Sequence, residues 1–124
     1  MKKTRQKRKL NLHKPENNST DYPFFGTYHI LIVGSRNQTN YTERLKKHGL
    51  IVQWHNPFEE GYKRLNGKYQ KADAVIVCTR HIPHSVLDHI DKKSEKVELL
   101  ERDNEEILAS RVPYLLEQLK KTNG

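Results

Sequence analysis

Two histidines stand three residues apart just past the only cysteine, in the run Cys78-Thr79-Arg80-His81-Ile82-Pro83-His84. Imidazoles at that spacing share one side of a helical first turn and can supply half of a metal site, and a thiol beside an imidazole can become a thiolate nucleophile. Neither chemistry is complete in the sequence. Zinc would need further ligands, for which His55, Asp88 and Cys78 are the available donors. The plainer alternatives are that His84 opens a helix, His81 meets solvent and Cys78, at the end of an apolar strand, fills space as a small hydrophobe. No acid–base pair is apparent, because Asp73 begins a strand at the opposite end from the site and Glu101 has no partner. The expectation is therefore no catalytic residue, no metal and no cofactor.

A second cluster, Gly34-Ser35-Arg36-Asn37, follows a short apolar run. It is neither the G-x-G-x-x-G fingerprint of dinucleotide sites nor a P-loop, which would need Lys-Ser or Lys-Thr. Backbone N–H groups at a strand-to-helix turn can nonetheless bind an anion, and Arg36 offers a planar fork to a phosphate. Gly34, Ser35, Arg36 and Asn37, with Thr79, Arg80, His81 and His84, are the candidate ligand residues for a small anion such as phosphate or a nucleotide. An ordinary turn with a solvated arginine is the alternative.

The third cluster is the largest in charge. Lys2, Lys3, Arg5, Lys7, Arg8, Lys9 and Lys14 put seven cations into the first fourteen residues with no carboxylate among them. The chain totals +8, so everything after residue 14 sums to only +1. Such an arm gains Coulomb attraction and counterion release on any polyanion without a folded geometry of its own. Nucleic acid is the leading partner, contacted by those seven residues and extended by Arg36 and Arg80. A solubilising tail, or an arm matched to a ribosomal or anionic membrane surface, satisfies the same composition.

These clusters need elements to hold them. A chain of 124 residues, 34% hydrophobic, fits one domain with a modest core. Residues 1–22 hold almost no apolar side chains and read as a flexible basic arm, leaving residues 23–124 as the folded domain. One cysteine excludes an internal disulfide framework and suits a reducing cytoplasm. The basic start lacks the apolar stretch of a signal peptide, so neither export nor a membrane span is expected. Ile30–Val33 predicts a strand closed by Gly34, and Thr39–His48 a helix ended by Gly49. Leu50–Trp54 predicts a second strand, and Phe58–Tyr69 a second helix weakened by Gly61 and Gly67. Asp73–Cys78, continuously apolar and β-branched, predicts a strand buried on both faces. A helix is then expected to about Ile90, a fourth strand over Lys96–Leu100, and a last helix capped by Asn104. Its apolar stripe runs through Ile107, Leu108, Val112, Leu115, Leu116 and Leu119, and Pro113 is placed to bend it or open a new turn. Four alternations of strand and helix imply a small three-layer Rossmann-like α/β domain with a four-stranded, mostly parallel sheet. Ligands in such sheets collect beyond the carboxyl ends of the strands.

Three stretches carry a family resemblance: the strand Ile30-Leu31-Ile32-Val33-Gly34-Ser35, the Ala-Asp-Ala-Val of Ala72–Val75, and the loop Thr79–Ser85. In these the chain resembles a bacterial Rossmann-like family catalogued as domain of unknown function 2325, over about Ile30–Lys120. The resemblance implies the fold. Relatives often carry a cysteine near the position of His81, with a histidine three residues on at that of His84, so this chain keeps a polar pair but lacks that thiol. Where the family has a second glycine, Ser35 adds a hydroxyl and makes close backbone approach harder.

The functional expectation is a non-catalytic nucleic-acid-binding accessory or regulatory protein in the cytoplasm, led by the arm, with low sequence specificity because phosphate contacts do not read bases. The alternative is a sensor of a small anionic ligand in the crevice. Tyr22, Phe24, Phe25 and Tyr28 are expected to pack the incoming segment over the sheet edge rather than stack on bases, and Trp54 to lie in the core or an interface. Surplus apolar stripe on the last helix makes a homodimer possible.

Overall fold

The computed structural model describes residues 22–34 and 38–123. The elements run β1 (His29–Val33), α1 (Gln38–Lys47), β2 (Ile51–His55), α2 (Tyr62–Lys71), β3 (Ala74–Cys78), two 3-10 segments (Thr79–His81 and His84–His89), β4 (Val97–Leu100) and α3 (Glu105–Asn123). The strands form one sheet in the order β2-β1-β3-β4. Every pairing is parallel, with Val33 opposite His55 and Val77, and Cys78 opposite Leu100.

Alternation along the strands sends side chains to two separate cores. Ile30 and Ile32 of β1 with Ala74, Ile76 and Cys78 of β3 meet Tyr41 and Leu45 of α1 and Leu108, Val112, Leu115 and Leu116 of α3. On the other face Leu31, Val33, Val75 and Val77 meet Leu65 of α2 together with Val86 and Ile90. All five residues of β3 are buried, as expected of a central strand in a sheet covered on both sides. Trp54 is partly buried against the first core.

Three details depart from the sequence expectation. The segment before β4 forms a six-residue 3-10 stretch, not an α-helix. Pro83 holds its start extended and the chain is extended again at Ile90, so there is room to lay Val86 and Ile90 on the sheet but not for two α-helical turns. The second helix begins at Tyr62 rather than Phe58, because Asn56 organises a turn first: its carbonyl accepts from the N–H groups of Glu59 and Glu60, and its side chain accepts from Phe58. Gly61 is thus the N-cap, and only Gly67 lies inside the helix. Finally, α3 continues through Pro113 as one helix, so of the two alternatives there no new turn opens. Its start follows the sequence, with the Asn104 side chain accepting from Ile107 N–H at 2.8 Å.

Three of the four aromatics of the entering segment are part-buried, whereas Phe24 is 47% exposed. Phe25 stacks on His48 with ring centroids 4.0 Å apart, Tyr22 meets the same imidazole edge-on, and Tyr28 lies against the first core. Gly49 ends α1 at φ 91°, where a side chain would strike the ring of Phe24. No helix among the described residues is long and apolar enough to cross a membrane.

Candidate functional site

Strand order reverses between β1 and β3, because the chain leaves β1 towards β2 on one side and returns to β3 on the other. Their carboxyl ends therefore bound the crevice in which parallel sheets collect ligands. Gly34 ends β1 at φ 86°, a conformation that favours glycine. A β-carbon there would lie 2.5 Å from Ile82 Cγ2, 3.0 Å from the His81 carbonyl and 3.2 Å from that of Cys78. The turn after β1 and the segment after β3 are thus in direct contact, and the absence of a side chain permits it.

Of the expected ligand residues, Gly34 and His81 are brought together, through the His81 carbonyl. Thr79 donates through Oγ1 to the Leu100 carbonyl at 3.2 Å, tying β3 to β4 at the crevice. Arg80 and His84 are exposed. Ser35, Arg36 and Asn37, like Lys2, Lys3, Arg5, Lys7, Arg8, Lys9 and Lys14, lie outside the described residues. The helical turn that would have paired His81 with His84 does not form: His81 closes one 3-10 segment, His84 opens the next, and Ile82 and Pro83 are extended between them. Among the described residues no three His, Cys, Asp or Glu side chains gather as a metal site.

Sequence reasoning missed the two residues that complete the crevice, Tyr41 and Asp103. Tyr41 lies on the buried face of α1, and its hydroxyl donates to Asp103 Oδ2 at 2.7 Å. The other carboxylate oxygen, Oδ1, is 3.5 Å from His81 Nε2. The Asp103 side chain is 3% exposed and that of His81 28%, so the imidazole forms the outer wall and the carboxylate the floor. Cys78 sits beneath them, fully buried; burial pushes its thiol pKa up strongly, and the neighbouring Asp103 carboxylate adds to the shift. That is the opposite of what a thiolate nucleophile requires. An anion entering here would face Asp103 and would need a protonated His81 or an arginine to offset it. The available signal was position: Asp103 directly precedes the cap residue of α3, and Tyr41 leads Leu45 and His48 along one helix stripe.

A second polar group lies at the end of β2. His55 is completely buried, and neither ring nitrogen has a hydrogen-bond partner. Burial lowers its pKa, so it is held neutral. Glu60 approaches His55 Nδ1 to 3.9 Å but is committed elsewhere: Lys68 donates to Glu60 Oε1 at 2.7 Å and to the Trp54 carbonyl at 2.6 Å. Burial pushes the Glu60 carboxyl up, but the bonds from Lys68 and from Asn56 N–H outweigh it and leave the pKa below its ordinary value.

Fold and crevice together define a small, wholly parallel α/β domain with its polar groups at the switch point of the sheet. A family model matches residues 29–99, and the chain belongs to that family, described as an uncharacterized protein conserved in bacteria (DUF2325). The match runs from the first residue of β1 to the third of β4, short of the Lys120 expected from the sequence, so α3 and with it Asp103 fall outside it. No curated protein and no solved structure matches the chain.

Proposed function

We propose that this protein is a non-catalytic nucleic-acid-binding accessory protein of the cytoplasm, held to the phosphate backbone mainly by its basic N-terminal arm. The observation that carries the reading is the partition of charge. Seven of the eight net positive charges belong to the first fourteen residues, where no carboxylate offsets them. Polyanion binding by such a segment is driven by counterion release and is indifferent to base sequence.

The test is a fluorescence-anisotropy titration of the full chain with single-stranded DNA, duplex DNA and RNA across a salt series. The comparison is a full-length variant with glutamine at Lys2, Lys3, Arg5, Lys7, Arg8, Lys9 and Lys14. Binding by the native chain should weaken steeply with salt, and the variant should lose the arm's share of the log–log slope, about 5 to 6 for seven contacts. Negligible binding of the native chain at low salt would sink the reading.

A second reading, a sensor of a small anionic ligand, is favoured by one observation: Gly34 and the Thr79–His81 segment flank the switch point of the sheet. Isothermal titration with phosphate and nucleotides separates the two, since ligand heat retained in the glutamine variant belongs to the crevice and not to the arm.

A further inference from the structure

The helices differ in how they distribute charge. In α1, Glu43 accompanies Arg44, Lys46 and Lys47, and in α3, Glu105, Glu106 and Glu117 accompany Arg111, Lys120 and Lys121. By contrast α2 reads YKRLNGKYQK, with Lys63, Arg64, Lys68 and Lys71 and no carboxylate. Only Leu65 is fully buried; Lys68 and Tyr69 are part-buried, and every other residue of the helix is exposed. Lys68 is engaged by Glu60 and Trp54, but Lys63, Arg64 and Lys71 make no ion pair among the described residues. Outside the Glu60–Lys68 pair the nearest carboxylates in sequence are Glu59, exposed three residues before the helix, and Asp73, exposed two residues after it and accepting from His29 N–H.

Gly67 sits in the middle of this face. Glycine is the poorest helix former after proline, and a glycine inside a helix usually marks a close approach by the rest of the fold. Here there is none: a β-carbon on Gly67 would have no atom within 4 Å. The intramolecular packing gives no use for the missing side chain. Its neighbours on the helix surface, three and four residues away on either side, are Lys63, Arg64, Gln70 and Lys71. The result is a low saddle at the centre of a ring of three unpaired cations and an amide.

We propose that the outer face of α2 is a docking surface for the sugar–phosphate backbone of nucleic acid, which approaches closely over Gly67 between Lys63, Arg64 and Lys71. This rests on the nucleic-acid reading above and adds to it a contact surface on the folded domain. The saddle admits a phosphate that a side chain at position 67 would hold off, while Asn66 and Gln70 add neutral donors to the cations. An anionic membrane is a poorer fit, since between Lys63 and Lys71 the helix exposes no large apolar side chain; the exposed Phe58 belongs to the preceding turn, and Tyr62, 40% exposed, is stacked on His89 with ring centroids 3.6 Å apart.

The experiment uses the full chain and a short labelled single strand and duplex across a salt series. Lys63→Gln/Arg64→Gln/Lys71→Gln should weaken binding by roughly tenfold or more at low salt and reduce the log–log slope by about 2 to 3, the value for three lost phosphate contacts. Lys46→Gln/Lys120→Gln/Lys121→Gln removes the same charge from α1 and α3 on the other side of the sheet and should leave the slope nearly unchanged. Gly67→Gln alters no charge: it should raise the unfolding temperature through better helix propensity and still weaken binding several-fold. Equal losses in the two triple variants, or full affinity in Gly67→Gln, overturn the proposal. Native binding with an unaltered slope in the α2 triple variant overturns it while leaving the arm-led reading intact, whereas failure of the native chain to bind removes both. Native binding to anionic vesicles that the α2 triple variant loses while keeping its nucleic-acid affinity also overturns it.

Discussion

His48 shows how one side chain can fix its own protonation state. It is 2% exposed, with Nδ1 2.8 Å from the Pro23 carbonyl and Nε2 3.1 Å from Arg44 Nε. A carbonyl only accepts and a guanidinium only donates, so both contacts hold only in the neutral tautomer with the proton on Nδ1. Protonation would turn an N–H towards Arg44, whose guanidinium is held in place by Glu105 and Glu106. Burial lowers the pKa of His48, Arg44 reinforces the shift and the Pro23 bond opposes it; burial lowers that of His55 as well. In both cases the folded value lies below the unfolded one near 6.5, so the unfolded chain binds more protons between them. Stability should therefore be full above about pH 6.5 and decline as pH falls below it. Urea unfolding at about pH 7.5 and about pH 5.5 checks this: the midpoint should drop, and should drop less in His48→Gln. An unchanged native midpoint would contradict the tautomer assignment.

Among the elements, the turn after β1 and the middle of α2 put the same residue type to opposite uses. At Gly34 the backbone is left-handed and the space is occupied by Ile82 and two carbonyls. Gly34→Ala should cost about 1 to 3 kcal/mol and loosen the contact between the two crevice segments, read as a lowered denaturation midpoint. The sequence could show that a glycine closes β1, but not that its conformation is left-handed or that Ile82 would lie against it, because that neighbour comes from 48 residues further along the chain. The strands were legible since their apolar runs are short, β-branched and bounded by turn residues; β3 in particular could be little else. The cap of α3 was legible for the same local reason. By contrast, the 3-10 stretch over His84–His89 depends on how far Pro83 and Ile90 must reach to cover the sheet, which is a tertiary condition. Tyr41 and Asp103 were hidden because their contact spans 62 residues and neither belongs to a recognisable motif. The His81–His84 spacing was legible, but not that extended Ile82 and Pro83 would separate the two histidines into different 3-10 segments.

For the molecule as a whole, two sheet faces depend on covers supplied at different points in the chain. The face under α2 and the 3-10 stretch is closed by residues up to Ile90, whereas the other relies on Leu108, Val112, Leu115 and Leu116 of α3. A chain ended at Asn104 should keep four strands' worth of sequence yet leave Ile30, Ile32 and Ile76 without half their cover. It should therefore lose cooperative unfolding and bind hydrophobic dyes, as judged by calorimetry and dye fluorescence. The sheet order carries the same lesson in time. Of the described strands β1 is the first to leave the ribosome, yet its inner neighbour is β3, and the His29 N–H finds the Asp73 carboxylate only across 44 residues. During synthesis β1 must wait, paired at most with β2 along one edge, until β3 has emerged. Throughout that interval β1 presents an edge of unpaired N–H and C=O groups and two uncovered apolar faces to its surroundings, so the window for misassociation is set by translation speed over residues 34 to 78 rather than by the stability of the finished domain.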